Sequence, residues 1–111
     1  MKTYIFDIDG TICNNTEGKN DYRDCEPFIK RIEFINKLYD NGNKIYFQTA
    51  RGMGRNDNDA KRAHEMFYNF TSKQLNDWNV KYHGLFLGKP SGDFYIDDKG
   101  INDEDFFNTT D

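Results

Sequence analysis

Basic stripes, long apolar runs and paired-cysteine motifs are all missing from this chain, and each absence closes off a class of function. Lys and Arg number 15 against 19 Asp and Glu, a net charge of −4, which argues against general affinity for nucleic acid or an anionic membrane. A phosphate ligand would need positive charge placed locally. No apolar stretch approaches the length of a membrane span, so no membrane association is expected. Met1-Lys2 runs straight into an apolar strand and leaves no room for a signal peptide, which predicts a cytoplasmic protein. The 2 cysteines, Cys13 and Cys25, sit in no CxxC or zinc-ligand spacing, and a reducing compartment would keep them as thiols. A disulfide across the intervening loop is the lesser alternative. The 2 histidines, His64 and His83, are isolated in sequence and read as surface or packing residues rather than ligands or bases. With 111 residues, the chain forms one domain with room for a single core and no independent second domain.

What is present is concentrated at Tyr4-Ile5-Phe6-Asp7-Ile8-Asp9-Gly10-Thr11. The run Tyr4-Ile5-Phe6 reads as a buried strand that delivers two carboxylates, at alternate positions, to a turn made by Gly10 and Thr11. Two like charges at a strand end repel and raise each other's pKa unless a cation or a proton intervenes, so a divalent metal is the first suspect. Asp-Gly is also a common turn pair, and a lone Asp-x-Asp-Gly is as readily a solvated strand exit as an active site. A calcium loop is ruled out, because the EF-hand pattern needs a Gly at its sixth position and a Glu at its twelfth.

Further along, Cys13 to Glu26 is polar and reads as a loop, long for a βα connection and placed where a lid would sit. Pro27 suits the first turn of a helix in which Phe28, Ile29, Ile32, Ile35, Leu38 and Tyr39 recur at helical spacing, and Asn41-Gly42-Asn43 stops it. Ile45-Tyr46-Phe47 is a second strand, followed by Thr49-Ala50-Arg51-Gly52 and a second rim loop. A helix is predicted from about Asp59, with Thr71 or Ser72 capping a further short helix through Trp78. Gly84 to Gly88 is a third strand left by Lys89-Pro90, and Asp93 to Asp98 is a fourth, ending in paired acids. The tail reads as a short docked helix carrying Phe106 and Phe107, then a frayed end. Strands alternating with helices predict an α/β fold with a mainly parallel sheet. Ligands bind such sheets beyond the carboxyl ends of the strands. Asp7, Asp9, Thr49, Arg51, Lys89, Asp97 and Asp98 all fall there.

In this order and spacing the residues resemble the haloacid dehalogenase superfamily of phosphotransferases. Asp7-Ile8-Asp9-Gly10-Thr11 matches the first motif, Thr49 the second, Lys89 the third and Asp97-Asp98 the fourth. The resemblance implies a Rossmann-like sheet with helices on both faces. Phe-Asp-Ile-Asp-Gly-Thr-Ile-Cys, Thr-Ala-Arg-Gly-Met and Gly-Lys-Pro-Ser-Gly-Asp-Phe-Tyr-Ile-Asp-Asp-Lys are, more closely, similar to small bacterial phosphatases of capsule and surface-polysaccharide biosynthesis. The resemblance implies that Asp7 attacks phosphorus to form an aspartyl phosphate, and that Asp9 protonates the leaving alcohol and later activates water. It also implies magnesium held by the Asp7 side chain, the Asp9 carbonyl and Asp97, with Asp98 orienting a metal water or Lys89 from behind. Lys89 would add fixed positive charge, while Thr49 and the amides of the Gly10-Thr11 turn would donate to the phosphoryl oxygens. Arg51 would grip the phosphate or a substrate carboxylate, with a surface ion pair as its bland alternative. Neither gap between motifs is long enough for a cap domain. A capless enzyme leaves an open cleft, suited to macromolecular substrates or to a roof lent by another subunit of a homo-oligomer.

The leading expectation is a magnesium-dependent phosphomonoesterase acting on a small phosphorylated metabolite such as a sugar phosphate. A polynucleotide 3′-phosphatase shares the motifs, but Lys and Arg are scattered among more numerous acids, which disfavours nucleic acid. A receiver-like phospho-signalling domain also combines an acidic pocket with Thr and Lys. Receivers, however, place the phosphorylated Asp on a middle strand, whereas Asp7 follows the first.

Overall fold

The computed structural model describes residues 1–15 and 21–108. Three of the apolar runs become strands: β1 (Thr3–Phe6), β2 (Lys44–Thr49) and β3 (Gly84–Leu87), all parallel and in the order β1-β2-β3. The register sets Tyr4 against Ile45 and Phe6 against Phe47, then Phe47 against Leu85 and Thr49 against Leu87. Side chains alternate along a strand, so these residues share one face. Ile45 and Phe47 are fully buried on it. Burial of each such side chain contributes about 1.5–3 kcal/mol, before any allowance for compactness of the unfolded chain.

Among the described residues three α-helices cover that face. In α1 (Ile29–Asp40), Ile32 and Ile35 point inward, and the helix stops at Asn41 and Gly42, whose φ of +92° suits a residue without a side chain. α2 (Ala60–Asp77) begins at Asp59, whose carboxylate accepts from the Lys61 and Arg62 amides and satisfies two donors that the helix cannot. It runs unbroken through Thr71, so the expected cap and second short helix do not occur; Thr71 is buried mid-helix instead. α3 (Asp103–Asn108) brings acids to its first turn and docks Phe106 and Phe107 against Tyr4, Phe6 and Phe34. Its expected frayed end lies outside the described residues.

This is an α/β, Rossmann-like fold with a parallel sheet and no cap domain. One expected detail is corrected: among the described residues the helices lie on one face of the sheet, not two. Successive crossovers that step in one direction along a parallel sheet put their helices on the same side. The opposite face leaves Ile5 66 % and Phe86 55 % exposed. The expected fourth strand does not form either. The Tyr95 hydroxyl donates to the Pro90 carbonyl at 2.7 Å, and the Asp97 carboxylate accepts from the Lys99 amide at 3.0 Å, so local turn bonds stand where a ladder was expected. Phe94 and Ile96 are 85 % and 97 % exposed, and the outer edge of β1 has no strand partner among the described residues. No helix among the described residues is long and apolar enough to cross a membrane.

Candidate functional site at the carboxyl ends of the strands

β1 leads from the buried Phe6 to Asp7, then to the fully buried Ile8, then to Asp9. Ile8 anchors the turn. Its carbonyl accepts from the Thr11 and Ile12 amides at 3.0 and 2.9 Å, while the Gly10 amide donates to the Cys13 carbonyl at 2.8 Å. Gly10 sits at φ +83°, a left-handed geometry that a side chain would strain. The amides of Gly10 and Thr11 are therefore spent inside the turn. This corrects the expectation that they face a substrate, because a donor already satisfied by a carbonyl has no proton left to offer. Thr11 serves the scaffold in a second way, its carbonyl accepting from Arg31 at 2.9 Å.

The Asp7 carboxylate points to the rim. One oxygen accepts from the Ile8 amide at 2.9 Å, and the other lies 3.7 Å from the Lys89 ammonium, which also rests 4.2 Å from the Tyr95 ring centre. Burial pushes the Asp7 carboxyl above its usual range and the charge of Asp9 adds to this, while Lys89 and the Ile8 amide pull the other way. A carboxylate so placed gains from additional positive charge. Thr49 ends β2, buried, and its Oγ1 accepts from the Arg51 amide at 3.1 Å, which leaves its hydroxyl proton to give. The Lys89 amide donates to the Thr49 carbonyl at 3.2 Å, joining the ends of β2 and β3.

Asp9 faces a different environment. Arg51 Nε meets Asp9 Oδ2 at 2.9 Å and Nη2 meets Oδ1 at 2.9 Å, a two-toothed pair in which the arginine side chain is wholly buried. The Cys13 and Cys25 thiols both lie 3.5 Å from Oδ1. Tyr22 covers the guanidinium at 4.6 Å, and Nη1 reaches Thr71 Oγ1 at 3.4 Å. Burial pulls the Arg51 guanidinium down, but the Asp9 carboxylate outweighs this and holds it above its ordinary value. Burial also pushes both thiols up, with the charge of Asp9 reinforcing the effect. Arg51 is thus neither an exposed ion pair nor a substrate grip as arranged, and that expectation is corrected: all its nitrogens are engaged within the fold. No spacing in the sequence joins Cys13, Cys25, Tyr22 or Thr71 to Asp9; only folding brings them together.

Asp97 and Asp98 are not brought to this centre. Both are exposed, and the Lys99 amide, with Asp98 beside it, holds the Asp97 carboxyl below the usual carboxylate range. Magnesium needs several hard oxygens converging on one point. Among the described residues the cluster of three ligand-type side chains is Asp9, Cys13 and Cys25, two of them soft and with the Arg51 guanidinium already inside it. As arranged, the described residues do not fit the magnesium site that the resemblance implies: Asp7 is in place and Asp97 is not. The histidines stay structural, His83 stacking on Tyr39 and accepting from the Ile45 amide, His64 stacking on Tyr68. The expected lid falls partly on residues 16–20, outside the described residues.

No family model matches the chain, and no curated protein matches it. Among solved structures, a crystal structure of a structural-genomics target from Vibrio cholerae is similar, with a TM-score of 0.84 and 28 % identity over 96 % of this chain and 87 % of that one.

Proposed function

We propose that this protein is a phosphomonoester hydrolase of the haloacid dehalogenase type, acting on a small phosphorylated metabolite in the cytoplasm. The observation that carries the reading is the pairing of Asp7 with Lys89, at 3.7 Å, beyond the ends of β1 and β3, with Thr49 ending the strand between them. In this reading an Asp7 oxygen attacks phosphorus, the bond to the leaving oxygen breaks, and the phosphoryl group passes to the carboxylate. Lys89 offsets the negative charge that nucleophile and substrate share. The Thr49 hydroxyl donates to a phosphoryl oxygen as charge redistributes. Asp9 gives its proton to the departing alkoxide and then takes one from the water that hydrolyses the aspartyl phosphate, returning Asp7.

Magnesium, the cofactor the resemblance implies, does not match the described residues as arranged, and no step above is routed through it. Its effect on turnover is therefore part of the test. Cys13 and Cys25 are free thiols, which suits the reducing cytoplasmic setting of this reading. Sugar phosphates of surface-polysaccharide synthesis are the substrate class to try first. The experiment is phosphate release from sugar phosphates, amino-alcohol phosphates and a 3′-phosphorylated oligonucleotide, with and without magnesium. Turnover that Asp7→Asn abolishes supports the reading; turnover that survives the substitution, or none from any ester, overturns it.

A further inference from the structure

Lys89 carries a compact charge on a flexible four-carbon stem, and such a side chain stays in one place only where something holds it. The Asp7 carboxylate alone is a loose hold. It stands 3.7 Å from the ammonium, longer than a strong charge-assisted hydrogen bond, at a rim where both side chains keep contact with water. The second contact of the ammonium is the face of Tyr95, whose ring centre lies 4.2 Å away. A cation over an aromatic face is attracted by the negative charge above the ring.

Tyr95 is 54 % exposed, yet its ring is tethered. The hydroxyl donates to the Pro90 carbonyl at 2.7 Å and accepts from the Gly92 amide at 3.3 Å. The turn that these bonds close is pinned at two further points. The Lys89 amide donates to the Thr49 carbonyl at 3.2 Å, and the Ser91 amide to Asn58 Oδ1 at 2.9 Å, with the Asn58 amide bound to the Met53 carbonyl at 2.7 Å. Each residue from Lys89 to Gly92 thus has a backbone group bound to a partner. Burial does not explain this arrangement, since Phe94 and Ile96 on either side of Tyr95 are left in water. What the turn does is present one aromatic face to Lys89.

We propose that Tyr95 is a positioning residue that holds the Lys89 ammonium beside Asp7, so that the positive charge is in place before a phosphate ester arrives. The inference rests on the hydrolase reading above and deepens it. Lys89 then offsets the charge shared by nucleophile and ester without first having to be ordered, because the turn from Lys89 to Tyr95 has already ordered it.

A spectroscopic and a kinetic measurement test this. In a proton NMR spectrum the ε-methylene of Lys89, assigned by its loss in Lys89→Met, is expected upfield of the other lysines because it sits at the ring face, and is expected to rejoin them in Tyr95→Leu. A Lys89 resonance among the other lysines in the wild type overturns the proposal. With one phosphate ester, Tyr95→Leu is expected to lower kcat/KM about fivefold, the scale of a cation–π contact at a partly exposed site. In the Lys89→Met background the same substitution is expected to cost less than about twofold, because the charge that the ring holds is gone. No loss from Tyr95→Leu, or the same loss in both backgrounds, would leave Tyr95 a merely structural residue and overturn the proposal while the hydrolase reading stands. Where the Lys89→Met rate is too small to compare, the NMR shift decides. If the wild type turns over no ester, the hydrolase reading itself fails and the proposal falls with it.

Discussion

The sequence motifs single out two pairs of acids, Asp7 with Asp9 and Asp97 with Asp98, and the fold treats them oppositely. The first pair follows a paired strand whose neighbours supply Lys89 to one member and a buried arginine fork to the other. The second follows an apolar run that makes no strand, and its carboxylates meet a local amide and each other. The difference lies in what surrounds the motif rather than in the motif. Acids acquire a chemical role where neighbouring elements deliver complementary charge, and otherwise stay solvated.

The sharpest break of this comparison is catalytic. Asp7→Asn should lower phosphate release at least about a thousandfold, whereas Asp98→Asn should change it about twofold or less, read from initial rates on one ester. A comparable loss from both would mean that the second pair joins the centre in solution. Stability gives the next contrast. Arg51→Met leaves the Asp9 carboxylate facing two thiols without its cation and should cost about 3 kcal/mol in urea unfolding, the lower part of the range for a broken buried pair because Asp9 keeps some solvent contact. Lys99→Met, beside the exposed pair, should stay within about 0.5 kcal/mol.

A pH scan sharpens the same contrast. Burial raises the Cys13 and Cys25 thiols above the 9.0 of a free thiol, so the folded state holds their protons where the unfolded chain gives them up. Their contribution to stability is full below about pH 9 and is lost progressively above it, as pH climbs from the unfolded value towards the folded one. Tm should therefore fall above that pH in the wild type and fall less steeply in Cys13→Ala; parallel curves would show that the thiol does not ionise differently on folding. The smallest effect belongs to the second region. Phe94→Ser and Ile96→Ser remove apolar groups already in water and should shift unfolding by about 0.5 kcal/mol or less, and a larger loss would place this segment against the open edge of β1.

Legibility in the sequence followed the range of the interactions involved. Three strands and the first helix could be read because alternation, helical spacing and the stop at Asn41-Gly42-Asn43 act between near neighbours. A helix was expected from about Asp59, and α2 begins at Ala60 with Asp59 as its cap, a role the sequence reading had not assigned. The expectation failed at Thr71, whose hydroxyl suggested a cap but whose tertiary partner is Arg51. It failed again at Asp93 to Asp98, where a strand-like composition met no neighbouring strand. Arg51 was read as gripping a substrate or lying in a surface pair, and it is instead buried against Asp9.

The amino-acid order alone determined the α/β class, the parallel sheet and the arrival of Asp7, Thr49 and Lys89 at one end of it, since periodicity and turn chemistry are written in neighbouring residues. Only the tertiary structure decided that Asp9 is gripped from behind by Arg51, that Cys13 and Cys25 crowd one of its oxygens, and that the second acid pair stands apart. Those outcomes depend on which side chains, 12 to 42 positions apart in the Asp9 to Arg51 and Cys13 to Cys25 pairs, come to exclude water together. Burial makes an ion pair specific, and burial is a property of the packed chain.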